Sequence, residues 1–177
     1  AEVVFGIAAH SMALLADAVR NAGDVLALLL AWGAAALARR LPSVRRTYGW
    51  GRGSILAALI NAAVLLVSVG AITLEAVERF LTPAPVATAT VAWVALAGIA
   101  INGVTAWMFA RGHEDLNIRA TFLHMAADAG VSAGVVVAAL LIAATGLFWI
   151  DPVTSLLIAA VIVVGTWGVL RDSVNLA

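Results

Sequence analysis

The sequence contains no cysteine and no lysine, and charged residues make up only 11% of its 177 positions. Without cysteine the chain has neither a disulfide framework nor a thiolate metal site. A soluble domain carries about 25% charged residues. The low charge of this chain therefore excludes an ordinary water-soluble fold. The formal net charge of +0 argues against a nucleic-acid partner, because such partners select a basic surface.

Apolar residues take the place of the missing charge. They form 64% of the chain, and the mean hydropathy is +1.07. A water-soluble fold of this length would leave much of that surface in water, so we infer that it faces lipid. A helix crosses a bilayer in about 20 residues, which allows roughly six or seven spans. The long apolar runs differ from the short alternating strands of a membrane barrel and predict an all-α, polytopic transmembrane bundle.

The hydrophobic pattern predicts six helices, the first of them truncated, over approximately 1–10, 12–38, 53–80, 88–110, 118–145 and 151–171. Asp151 and Pro152 have the residue types of an N-cap and a first helical position for the sixth helix. No initiator Met and no signal peptide precede Ala1, so we expect a fragment whose first helix is incomplete. Six glycines suit close helix packing: Gly6, Gly23, Gly33, Gly70, Gly98 and Gly103.

Arginines predict the orientation of the bundle. Eight of them fall in connections that share one side of the membrane if every segment spans: Arg39, Arg40, Arg45, Arg46, Arg52, Arg111, Arg119 and Arg171. Positive charge accumulates in cytoplasmic loops. We therefore expect these loops and both termini in the cytoplasm.

Two predicted helices carry polar residues at membrane depth. In the second helix Asp17, Arg20, Asn21 and Asp24 are spaced i, i+3, i+4 and i+7, which places them on one face. A charge at the centre of a membrane helix costs about 2.5–3.5 kcal/mol on insertion scales. Such residues persist when they face a cavity, a partner or a transported ion.

The fifth helix carries His124 and Asp128 at i and i+4. If this face meets that of the second helix, imidazole and carboxylate groups share one pocket and supply the nitrogen and oxygen ligands of Zn²⁺ or a related divalent ion. The alternative is structural. A histidine in a membrane helix is often a hydrogen-bonded packing residue, and an aspartate beside an arginine is often a plain ion pair.

Several stretches together resemble the cation diffusion facilitator family of metal-efflux proteins. They are SMALLADAVRNAGDVLALLLAW, TYGWGRGSILAALINA, EAVERF, LNIRATFLHMAADAGVSAGVVVAALLI and WIDPVTSLLIAAVIVV. The resemblance implies six transmembrane helices in a homodimer that moves a divalent metal out of the cytoplasm against protons. It implies Zn²⁺ as the transported substrate, with Cd²⁺ and Co²⁺ as alternatives, and the inner membrane of a bacterium as its location.

The resemblance also implies a ligand set. His124 and Asp128 match the family motif on the fifth helix, and Asp24 matches the aspartate of the motif on the second helix. Arg20 stands where the family usually has a histidine, so Asp17, Arg20 and Asn21 are accessory or modulating residues. Ser54 stands where the family usually has an acid. In the family a cytoplasmic domain follows the sixth helix, which implies a transmembrane domain over 1–172 and the start of the next domain at 173–177.

Arg20 leaves three arrangements open. A guanidinium has no lone pair to give a metal, so Arg20 either pairs with Asp17 and swings away, or occupies the site as a tethered cation, or marks a protein that has lost zinc transport. The function expected first is a proton-coupled metal exporter. The alternative is a non-transporting homologue, or one with an altered ion, that dimerises with an active relative. An intramembrane metallo-hydrolase is disfavoured, because the chain has no HExxH helix.

Overall fold

The computed structural model describes residues 2–38, 53–110 and 116–176, and the regular structure in these ranges is entirely helical. The predicted all-α fold with six helices is therefore confirmed. The helices are α1 (Glu2–Ala8), α2 (Met12–Ala38), α3 (Gly53–Leu81), α4 (Thr88–Phe109), α5 (Leu116–Thr145) and α6 (Ile150–Leu176).

Four described segments are long and apolar enough to cross a membrane: Leu59–Leu81, Thr88–Phe109, Thr121–Thr145 and Ile150–Gly168. Large apolar side chains on these segments point outward, and Val67, Leu74, Trp93 and Val164 are each at least 74% exposed. Water would penalise so much exposed apolar surface, whereas lipid accepts it. The protein is an integral membrane protein, and the crossing of α2, with three charges in its first half, remains a prediction.

The chain divides into two compact units, of which the first comprises Ala1–Ala18 and Ile72–Ile158. In this unit α4 packs along α5, and α1 packs against α4. Its largest fully buried apolar side chains are Met12, Leu14, Val91 and Val135. This core holds the first turns of α2 in place against the other helices of the unit.

The second unit comprises Val19–Ala71 and Ala159–Ala177. Within it α2 approaches α3 closely at Gly23, where an added Cβ would overlap the side chain of Leu65. Small residues let membrane helices approach each other in this way. Gly6 and Gly98 also have close neighbours, so the packing prediction is confirmed at these three glycines. At Gly33, Gly70 and Gly103 a Cβ would meet no heavy atom of the described residues within 4 Å, so the prediction stays open at these positions.

The start of α2 is fixed by the start of α6. Ser11 is the N-cap of α2, and its hydroxyl accepts the N–H of Leu14 at 3.2 Å. The carboxylate of Asp151 accepts the Ser11 hydroxyl at 2.5 Å, the Met12 N–H at 2.6 Å and the Ala13 N–H at 3.3 Å. The prediction that Asp151 caps its own helix is thus wrong, because α6 already begins at Ile150 and the carboxylate serves the unsatisfied N–H groups of α2.

Some predictions fall outside the described residues. Arg39, Arg40, Arg45, Arg46, Arg52 and Arg111 belong to this group, so the orientation of the bundle stays a prediction. Helix α6 continues past Arg171 to Leu176. The assignment of 1–172 to a transmembrane domain and of 173–177 to a following domain also stays a prediction.

Candidate metal site

The polar face of α5 brings two predicted ligands together. His124 Nε2 lies 3.6 Å from Asp128 Oδ2, as expected for residues one helical turn apart. Ligand atoms about 2.1 Å from a tetrahedral ion lie roughly 3.4 Å from each other. The two side chains are therefore spaced like neighbouring ligands of one tetrahedral ion, and they offer it one nitrogen and one oxygen.

The two side chains differ in their access to the surroundings. The His124 side chain is 45% exposed, whereas that of Asp128 is 3% exposed. A carboxylate so deep in a membrane span is costly without compensation. A bound cation is one way to offset that cost.

One turn further along the same face of α5, Ser132 contacts α2. Its Oγ donates a hydrogen bond to Asp17 Oδ2 at 2.8 Å. Ser132 is 0% and Asp17 1% exposed, so the bond is fully enclosed. The sequence predicts Asp17 as an accessory residue but does not single out Ser132. The spacing of four from Asp128 was the signal in the sequence that could have found it.

Helix α4 provides the space for this contact. A Cβ on Gly98 would lie 3.2 Å from Ser132 Oγ and 3.3 Å from Glu2 Oε1. Both distances are tighter than ordinary packing allows, so glycine at this position lets the Ser132 hydroxyl sit directly against the backbone of α4. The face of α5 that carries the two predicted ligands is thus anchored on α2 and α4.

The remaining predicted residues lie further along α2. Arg20, Asn21 and Asp24 are half-buried, and all three belong to the second unit. Helix α2 is continuous from Met12 to Ala38, so Asp24 keeps the face of Asp17, two turns away. The structure brings His124 and Asp128 together, while the contribution of Asp24 to the same site stays a prediction.

Comparison with known proteins adds an independent observation. The family model described as the cation efflux transmembrane domain matches residues 1–176. The zinc transporter ZitB of Escherichia coli is 42% identical over 176 residues, which cover 98% of this chain and 56% of ZitB.

Two further relatives are also named as transporters or efflux proteins of metal cations. The cadmium, cobalt and zinc/H(+)-K(+) antiporter of Bacillus subtilis is 35% identical over 178 residues, covering 99% of this chain and 57% of the antiporter. The cation efflux system protein CzcD of an Alcaligenes species is 35% identical over 176 residues, covering 99% and 56% respectively. The chain spans a little over half the length of these curated relatives.

Proposed function

The chain belongs to the cation efflux family, and we propose that it exports a divalent metal cation, Zn²⁺ first among the candidates, in exchange for protons. The observation that carries this proposal is the 3.6 Å separation of His124 Nε2 and Asp128 Oδ2 on a helix long and apolar enough to span a membrane. The names of two relatives include zinc, cadmium and cobalt, and these are the ions we propose for this chain.

Helix geometry supports Asp24 as the third ligand. Helix α5 ends at Thr145, six residues before Asp151, and Asp151 caps the start of α2. The end of α5 therefore lies beside the start of α2, and the two helices run antiparallel. A helix rises 1.5 Å per residue. Measured along the helix axes from the Asp17–Ser132 contact, Asp24 lies about 10.5 Å further along α2. On α5, Asp128 lies about 6 Å and His124 about 12 Å from the same contact.

Asp24 continues the face of α2 that begins with Asp17, and these distances along the two helices are the support for including it in the site. We propose that Asp24, Asp128 and His124 bind the metal, with water as the fourth ligand of a tetrahedral site. Two carboxylates neutralise the charge of a divalent ion at a depth where an uncompensated charge is costly.

Arg20 limits how this site works. At about 4 Å and an effective dielectric constant near 20, a pair of unit charges interacts with roughly 4 kcal/mol. A guanidinium at that distance from the ion would offset much of the attraction of one carboxylate. The proposed function therefore needs the arrangement in which the Arg20 head group is directed away from the three ligands.

Proton coupling follows from the chemistry of the imidazole. A metal binds the neutral ring, so bound metal and bound proton exclude each other on His124. We further propose a homodimer in the inner membrane of a bacterium with cytoplasmic termini, on the strength of the family resemblance and the arginine distribution.

Transport in reconstituted vesicles tests the proposal. Vesicles with an acidic lumen and an internal zinc-sensitive dye should take up Zn²⁺, and a protonophore should stop the uptake. His124→Ala and Asp128→Ala should each abolish it. His10→Asn is the matched control, because His10 is exposed at the turn before α2 and has a positive φ of 52° that asparagine tolerates. Uptake unchanged in both α5 variants would reject the site.

A second function follows from Arg20 itself. A chain with an arginine at a ligand position would bind metal poorly and would act as a non-transporting partner of an active relative. The variant Arg20→His separates the two functions by its effect on zinc binding.

A further inference from the structure

We propose that Ser132 is a positioning residue for transport: its hydrogen bond to Asp17 fixes the register of α2 against α5 and thereby sets the spacing of the metal ligands. This inference rests on the proposed function, because it concerns the site built from Asp24, His124 and Asp128. Neither Ser132 nor Asp17 is itself a proposed ligand. Both act through the helices that carry the ligands.

The contact is suited to this role because it is directional and enclosed. The bond is 2.8 Å long and joins two residues that are at most 1% exposed. Apolar contacts between membrane helices gain little from hydrophobic burial, since lipid is as apolar as the side chains. Apolar contacts therefore do little to prevent one helix from sliding along another. A hydrogen bond to a carboxylate does prevent it, because sliding would break the bond.

The position of the bond gives it control over the site. Ser132 is one turn from Asp128 on α5, and Asp17 is two turns from Asp24 on α2. A slip of one residue between the helices would move the ligands by about 1.5 Å along the axis and rotate one face by about 100°. Metal ligands tolerate deviations of about 0.2 Å, so even a smaller slip would spoil the coordination.

A second buried serine provides a matched control. Ser155 on α6 is also 0% exposed, and its Oγ has no hydrogen-bond partner among the described residues. Ser132→Ala and Ser155→Ala remove the same atom from equally buried positions. They differ in that the first breaks an interhelical bond.

The test measures Zn²⁺ affinity by calorimetric titration of the purified protein, with thermal unfolding followed in parallel. Ser132→Ala should raise the Kd for Zn²⁺ about tenfold, at the low end of the roughly 10- to 100-fold losses caused by removing groups that orient metal ligands directly. Ser155→Ala should stay within about twofold of wild type. Asp17→Asn combined with Ser132→Ala should be little worse than the stronger single variant.

The outcomes separate this inference from the proposed function. Zinc binding that is lost in His124→Ala but unchanged in Ser132→Ala would leave the function standing and overturn the positioning role. An equal loss in both serine variants, or a lower melting temperature with wild-type Kd, would reduce Ser132 to a packing residue and likewise overturn it. Wild-type protein that binds no Zn²⁺ would overturn the proposed function and this inference together.

Discussion

The carboxylate of Asp151 accepts a hydrogen bond of 2.6 Å from the backbone N–H of Met12, so a residue at the start of α6 caps the start of α2. An N-cap usually belongs to the helix that it precedes. Here Ser11 and Asp151 share the task, and the same carboxylate also accepts the Ala13 N–H and the Ser11 hydroxyl. Because Asp151 is 2% exposed, water cannot replace these bonds.

Asp151→Ala should therefore destabilise the protein by roughly 2–3 kcal/mol, because it leaves buried N–H groups of α2 without their charged acceptor. Thermal unfolding in detergent measures the loss. Asp151→Asn keeps an acceptor oxygen and should lose less. Glu78→Gln is the control, since Glu78 is an exposed acid near the end of α3 and should change stability by less than about 0.5 kcal/mol. A melting temperature of Asp151→Ala equal to that of the control would contradict the shared cap.

Gly98→Ala should weaken both stability and zinc binding. The added methyl group would lie 3.2 Å from Ser132 Oγ and 3.3 Å from Glu2 Oε1, so both side chains must move. Crowding of this kind costs about 1–3 kcal/mol, and displacement of Ser132 should raise the Kd for Zn²⁺ several-fold.

Gly103→Ala is the matched control on the same helix, where the described residues leave the position of the new methyl group open. It should be neutral, or stabilise α4 by up to about 1 kcal/mol through better helix propensity. Equal Zn²⁺ affinities in the two alanine variants would show that the packing of Ser132 against α4 does not affect zinc binding.

Arg20→His should strengthen zinc binding, because it adds a ligand nitrogen even when the wild-type guanidinium is directed away from the ion. The variant replaces a permanent positive charge with a nitrogen ligand, so calorimetry should show a lower Kd for Zn²⁺. Wild-type binding in the micromolar range or tighter, improved by the variant, agrees with an exporter whose arginine points away from the metal. Binding that is absent in wild type and present in Arg20→His would instead favour the non-transporting partner.

The number and type of the helices follow from the sequence, because apolar runs of about 20 residues and their breaks are local features. The pairing of His124 with Asp128 follows from their spacing on one helix. Ser132 is harder to identify, since serines are common in membrane helices and only its spacing of four from Asp128 separates it from Ser155. The role of Asp151 was predicted wrongly because a cap supplied by another helix depends on tertiary contacts, which the residues around Asp151 do not reveal.

The first turns of α2 are attached at two heights to one helical hairpin. Ser11 and Met12 are held by Asp151 on α6, and Asp17 is held by Ser132 on α5. Helices α5 and α6 are joined by four residues, including Gly146 with a positive φ of 70° that L side chains rarely adopt. Because α2 is attached to this hairpin at two points, its first turns can neither slide along the hairpin nor rotate against it. The first turns of α2, the end of α5 and the first turns of α6 all belong to the first unit and should thus move together in any conformational cycle, so that bending of α2 occurs beyond Asp17.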